Sequence, residues 1–186
     1  LRAACDRAVK RLLAEDPDLI IVLGGGPKDR FWSATAGGSL APYGVDVHAG
    51  GATDDLPLSL TIGAWLLDRA GWTGSRAYAT AGLEPRGPTA LLVMADGSAK
   101  RTSEAPGYFD ERAEPFDRAI SEALAAGDSD TLATLDEDLA NELWSSGAQP
   151  LKALGRMTKG ATIAARLHYD GAPFGVGYWV ADWKLS

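Results

Sequence analysis

The chain has a single cysteine, Cys5, so no intrachain disulfide can form and a multi-cysteine zinc site is excluded. That scarcity suits a reducing, cytoplasmic setting. No apolar run approaches the roughly 20 residues that a membrane-spanning helix needs. Basic residues are also in short supply, with 18 Lys and Arg against 25 Asp and Glu, a net charge of −7. Adjacent basic residues occur only as the pairs Lys10-Arg11 and Lys100-Arg101. A protein that neutralises a nucleic-acid backbone needs a basic stripe, so no nucleic-acid partner is expected. The acidic balance would also repel an anionic membrane. The opening Leu1-Arg2-Ala3-Ala4-Cys5-Asp6 reads as helix rather than as a secretion signal, and it does not begin with methionine.

What is present is ordinary globular material: 46% hydrophobic and 23% charged residues in 186. That length suits one domain, 1–186, with a full core. Leu1, Ala4, Cys5, Ala8, Leu12 and Leu13 recur at helical spacing to about Glu15, and Asp16-Pro17-Asp18 ends the helix. Leu19 to Leu23 is a continuous apolar run suited to a buried parallel strand, broken by Gly24-Gly25-Gly26-Pro27.

Residues 28–55 show no period and form a long loop. A helix is expected over Leu58–Ala70, strands over Arg76–Thr80 and Thr89–Met94, and a helix around Phe116, Ile120 and Leu124 that closes at Gly127. Two shorter helices are expected over 129–145 and 149–157. Strands over Thr162–Tyr169 and Phe174–Ala181 would be joined through Asp170-Gly171-Ala172-Pro173.

This alternation predicts an α/β fold: a mostly parallel central sheet flanked by helices and completed by a C-terminal β-hairpin. In such a sheet ligands collect at the carboxyl ends of strands. Gly24–Pro27, Asp96–Ser98 and the long loop are expected to meet there.

Three stretches carry a resemblance. Tyr169-Asp170-Gly171-Ala172-Pro173-Phe174-Gly175-Val176-Gly177-Tyr178 is one. Ala95-Asp96-Gly97-Ser98-Ala99-Lys100-Arg101, with Pro106-Gly107-Tyr108 and the Phe116-Asp117 helix, is the second. The third is the helix and strand ending at Gly24–Pro27. Together they resemble the LigB-like class III extradiol ring-cleavage dioxygenases, and a high-GC bacterial branch of them in particular. The match runs from about residue 10 to 181.

The resemblance implies a non-haem Fe(II) site of two histidines and a glutamate, with a further histidine moving protons. The chain departs from that pattern. The acid/base histidine position is Ala99, and the strand-end ligand position is occupied only by glycine and proline. The family's His-Pro-Pro strand would lie upstream of Leu1. Glu142 stands nearest the family's acidic ligand position. The stretch between Ala81 and Pro88 reads short by comparison.

The candidate pocket residues are Gly25, Gly26, His48, Asp96 and Ser98. Each has a plainer reading. The three glycines could cradle a phosphate, or permit a tight turn. His48 could replace a lost ligand, or be a solvated loop residue. His168, alternating with its neighbours on a strand, reads as an exposed-face histidine. Asp96 and Ser98 could hold ligand hydroxyls, or serve turn and cap chemistry. Glu142 reads as an exposed helix carboxylate. Trp144, Tyr178, Trp179 and Trp183 could line a pocket or pack a core.

Two functions follow. One is an active Fe(II) ring-cleavage enzyme drawing a ligand from outside residues 1–186. The other is a family member without ring cleavage that binds a small molecule, or a peptide or protein, in the old cleft. A homodimer is the default assembly.

Overall fold

The computed structural model describes residues 1–27, 30–80 and 87–186. Lys28, Asp29 and most of the stretch that reads short against the family, 81–86, lie outside the described residues. The chain is mixed α/β and divides into two compact units, Cys5–Met94 and Leu1–Ala4 with Ala95–Ser186. No helix among the described residues is long and apolar enough to cross a membrane.

The first unit is built on a four-stranded mixed sheet. Helix α1 spans Arg2–Leu13 and leads into β1, Leu19–Gly24. Strand β1 is parallel to β5 (Ser75–Ala79) on one side and to β6 (Thr89–Met94) on the other. The two-residue β2, Phe31–Trp32, pairs antiparallel with β5 and gives the order β2-β5-β1-β6.

Ile20 and Val22 of β1 share an apolar cluster with Leu60, Ala64 and Leu67 of α2 (Leu58–Arg69) and with Val9 of α1. A salt bridge from Arg69 to Asp6, 3.0 Å, ties the two helices together. Helix α2 comes close to the sheet because residue 63 is glycine; a Cβ there would lie 2.3 Å from Val22.

The long loop is more ordered than its sequence suggests. It holds β3 (Gly37–Ser39) antiparallel to β4 (His48–Gly50), a hairpin of its own. Apart from His48, only Gly, Ala and Ser fill these strands, so no apolar alternation announces them.

The second unit carries α3 (Ala113–Ala126), α4 (Ser129–Ala133), α5 (Glu137–Glu142) and α6 (Ala148–Met157). Helix α3 closes at Gly127 in the left-handed conformation, as its sequence predicts. Helices α4 and α6 touch closely at Gly155, whose missing Cβ would fall 2.4 Å from the Ala133 nitrogen. Trp179, Ala181 and Trp183 pack against Phe116, Ile120 and Leu124, and the Trp183 indole donates to the Leu124 carbonyl at 2.8 Å.

The C-terminal hairpin, β7 (Ile163–Gly171) with β8 (Tyr178–Leu185), forms its own two-stranded sheet rather than completing the central one. Its connection is 172–177, not Asp170–Pro173. Pro173 begins a 3₁₀ turn, and Gly175 takes a φ of +77° that L side chains avoid.

Candidate functional site

The Asp96–Ser98 segment and the Gly175–Gly177 turn are brought together by reciprocal backbone hydrogen bonds. Gly97 N–H donates to Gly177 O at 2.7 Å, Gly177 N–H to Ser98 O at 2.9 Å, and Arg101 N–H to Gly175 O at 3.0 Å. The carboxylate of Asp117, from α3, sits against this ladder. It accepts from the Ser98 amide and the Ser98 hydroxyl at 2.8 Å each, and from Arg101 Nη1 at 3.2 Å.

Glycine at 97 and 177 makes this possible. A Cβ at either would fall 2.7 or 2.4 Å from an Asp117 oxygen. Asp117 is 1% exposed, and burial pushes its carboxyl above the ordinary range, an effect that the Ser98 and Arg101 hydrogen bonds partly offset.

Sequence reasoning did not single out Asp117, although a signal was present. It lies on the same helical stripe as Ala113, Ile120 and Leu124, all buried. A charged residue on an apolar stripe needs buried partners. Ser98 supplies them, and with no solvent exposure its side chain serves Asp117.

Asp96 has a different environment. Its Oδ1 accepts from Ser146 N–H at 3.1 Å and Ser146 Oγ at 2.7 Å, while its carbonyl accepts from Ser145 Oγ at 3.1 Å. These serines stand just before α6, so Asp96 satisfies a donor at that helix's start. Burial pushes the Asp96 carboxyl up, against the Ser146 hydrogen bonds. The Tyr178 phenol is also raised, first by burial and then by the nearby charge of Asp96. Asp96 is thus held by the Ser146 hydrogen bonds, and Tyr178 stands close enough to feel its charge.

The other candidates are engaged elsewhere. Gly25 accepts from Ser59 Oγ at 2.7 Å, and Cβ atoms at Gly24 and Gly26 would crowd Ser59, Pro57 and Thr80. Their lack of side chains therefore admits the start of α2, a close approach that neither the turn nor the phosphate reading foresaw. His48 is exposed on β4, opposite Ser39, with Nε2 3.2 Å from Thr53 O. Among the described residues no hydrogen bond joins it to Gly25 or Gly26.

His168 is not on an open face. A register shift between Leu167 and Tyr169 accompanies it, and its Nε2 pairs with Asp182. Glu142 is exposed and binds Arg112 at 2.6 Å, while Arg112 also grips Asp110 at 2.7 Å and holds that carboxyl down to about 2. Of the tryptophans, Trp179 and Trp183 pack in the core and Trp144 is exposed.

Among the described residues, no three His, Cys, Asp or Glu side chains are grouped so as to hold a metal ion. The imidazoles and carboxylates that an Fe(II) triad would need are committed to other partners, so this donor set does not fit the iron that the resemblance implies. An open hollow of about 290 Å³ lined by Ser39, Tyr43, Asp54, Leu56, Leu58 and Thr61 lies in the Cys5–Met94 unit and includes none of the residues singled out from sequence. No protein-family model matches the chain, and no curated protein matches it.

Proposed function

We propose that this chain is an extradiol-dioxygenase-like α/β protein without ring cleavage, which holds a small cyclic hydroxylated molecule beside Asp96. The observation that carries this reading is Ala99. Its amide donates to Leu143 O at 3.0 Å and its carbonyl accepts from Gly107 N–H at 2.9 Å. The backbone is pinned on both sides where the resemblance calls for a proton-carrying imidazole, and the side chain is a methyl. A methyl group transfers no proton.

The segments that carry the resemblance, 95–101 and 169–178, are hydrogen-bonded neighbours, which supports their common origin in one site. Asp96 with Tyr178 supplies the chemistry of recognition. A carboxylate accepts from a ligand hydroxyl, and a neutral phenol donates or accepts beside it. No metal enters this binding, in keeping with the donor set.

Titration calorimetry with catechol and with cyclohexane-1,2-diol tests the reading, alongside anaerobic loading with Fe(II) followed by catechol and O₂. The expected result is saturable diol binding that Asp96→Ala abolishes, with no coloured ring-fission product. Stoichiometric iron and a ring-opened product overturn it, as does the absence of binding by either diol.

A further inference from the structure

The hollow at the start of α2 has walls that are fixed by their own hydrogen bonds. One side is the turn Ala41–Tyr43 that follows β3, closed by Gly44 at a φ of +81° with its N–H on Ala41 O at 3.0 Å. Leu40 N–H ties that side to Val47 O at 2.8 Å, and the Ser39 hydroxyl accepts from Ala41 N–H at 3.1 Å. The other side is the segment 54–57, where the Asp55 and Leu56 amides both donate to Gly37 O, at 3.0 and 2.9 Å. Thr61, 1% exposed, gives its hydroxyl to the Leu56 and Pro57 carbonyls, and Gly38 lies against it. A site whose walls are already ordered spares a ligand the cost of ordering them.

The lining combines hydrocarbon with one unengaged charge. Pro42, Leu56, Pro57 and Leu58 supply the apolar surface, and Tyr43 adds a ring that is 62% exposed. Asp54 is exposed too, and among the described residues its carboxylate has no hydrogen bond or ion pair. Its neighbour Asp55, by contrast, accepts from the Thr53 hydroxyl.

Charge sets the sign of the occupant. Every residue of the lining comes from the stretch 31–68, which contains Asp46, Asp54, Asp55 and Asp68 and neither lysine nor arginine. The arginines that bracket the stretch are engaged: Arg30 lies over the Trp32 ring at 5.3 Å, and Arg69 binds Asp6 at the far end of α2, about 16 Å along the axis. The N-terminal dipole of α2 amounts to about half a positive charge and is outweighed by Asp54 and Asp55. An anion is repelled from such a hollow and an organic cation is drawn to it. A metal ion is not held, because a single carboxylate lines the hollow and a hard cation needs several oxygen ligands.

We infer that this hollow binds a small primary amine with a hydrocarbon body. The ammonium donates to the Asp54 carboxylate and to the Ser39 and Tyr43 hydroxyls, with the Tyr43 ring beside it, and the hydrocarbon covers Pro42 and Leu58. A volume of about 290 Å³ stands at the lower limit for ligand sites, so the occupant is small. The site lies in the Cys5–Met94 unit, shares no residue with the surroundings of Asp96, and is independent of diol binding there.

NMR titration of the isotope-labelled full chain with benzylamine, from about 0.01 to 10 mM, tests it, with benzyl alcohol as the uncharged isostere and benzoate as the anion. Benzylamine is expected to saturate with shifts concentrated in residues 39–61, benzyl alcohol to bind about tenfold more weakly or worse, and benzoate not to bind. Asp54→Asn is expected to weaken benzylamine by about tenfold or more while leaving benzyl alcohol unchanged. Asp96→Ala is expected to leave both affinities as they are, which separates this site from the diol site. No saturation by benzylamine, equal affinity for benzyl alcohol, shifts spread over the acidic surface at large, or an Asp54→Asn variant that binds as tightly as the parent overturns the inference.

Discussion

Ser98 turns both its amide and its hydroxyl onto the carboxylate of Asp117, at 2.8 Å each, and neither residue is more than 1% exposed. The pair locks the start of α3 to the segment after β6, and Arg101 completes it at 3.2 Å. Replacing Asp117 with Ala leaves two buried donors and a partly buried guanidinium without an acceptor. Since Arg101 keeps some access to water, the expected loss is roughly 3 kcal/mol, near the low end for a broken buried pair. Ser98→Ala removes one hydroxyl and should cost about 1 kcal/mol. Urea unfolding of both variants checks the order; equal losses would show that the Ser98 hydroxyl, not Arg101, holds the carboxylate.

Asp96 gives a pH signature. Burial raises its carboxyl in the folded chain above an ordinary value of 3.8. A folded pKa above the unfolded one means that the native state holds the proton more tightly. The stability it contributes is complete below the unfolded value and is lost as pH rises through the folded one. Asp96→Asn keeps an oxygen for both Ser146 donors and does not titrate. The stability of this variant relative to the parent should therefore climb as pH rises above about 4, since only the parent then comes to carry a desolvated charge. A difference that stays flat across that range would mean that Asp96 is well solvated.

Much of this architecture is legible before folding, and the failures have physical causes. The runs 19–23 and 89–94 declare themselves because a strand covered on both sides is apolar throughout. The 37–50 hairpin stays silent because its strands are short and, His48 aside, made of small residues. The first tail strand is read closely, but the second is expected over Phe174–Ala181 and runs over Tyr178–Leu185: Asp170-Gly171 looks like a hairpin signal, while backbone pairing of Gly175 and Gly177 with Arg101, Gly97 and Ser98 fixes the true connection. Such pairing is a tertiary fact that no local window contains. Asp96 and Ser98 are identified from their place after a strand, but their separate duties depend on Ser146 and Asp117, distant in sequence.

Gly177 tests how closely the turn must approach α3. Its φ is not positive, so alanine there is opposed by space and not by backbone preference. The added methyl would lie 2.4 Å from Asp117 Oδ2 and must displace the carboxylate or the strand. Overpacking of this kind costs about 1–3 kcal/mol, and Gly177→Ala is expected near the upper end because the obstacle is a hydrogen-bonded charge. The same change at Gly147, 2.1 Å from Asp96 O, should also destabilise. Thermal melts that match the parent for both would show that the segment 95–98 gives way freely.

In the other unit, Tyr78 and Trp32 face each other across β5 and β2. Tyr78 is fully buried, and among the described residues neither its hydroxyl nor the Trp32 indole N–H meets a well-formed hydrogen-bond partner. The Arg76 guanidinium partly opposes the burial that raises the Tyr78 phenol, while its own close hydrogen bonds go to Asp68 and to the Trp72 carbonyl, both at 2.5 Å. An unpaired buried hydroxyl forfeits its hydration without return, typically about 1–3 kcal/mol. Tyr78→Phe keeps the ring against Leu60 and Leu67 and removes that penalty, so it should stabilise the chain by about 1 kcal/mol in urea unfolding. Destabilisation by the same amount would instead show that the phenol bonds a buried water beside Gly50, the glycine whose absent Cβ would come within 3.0 Å of the oxygen.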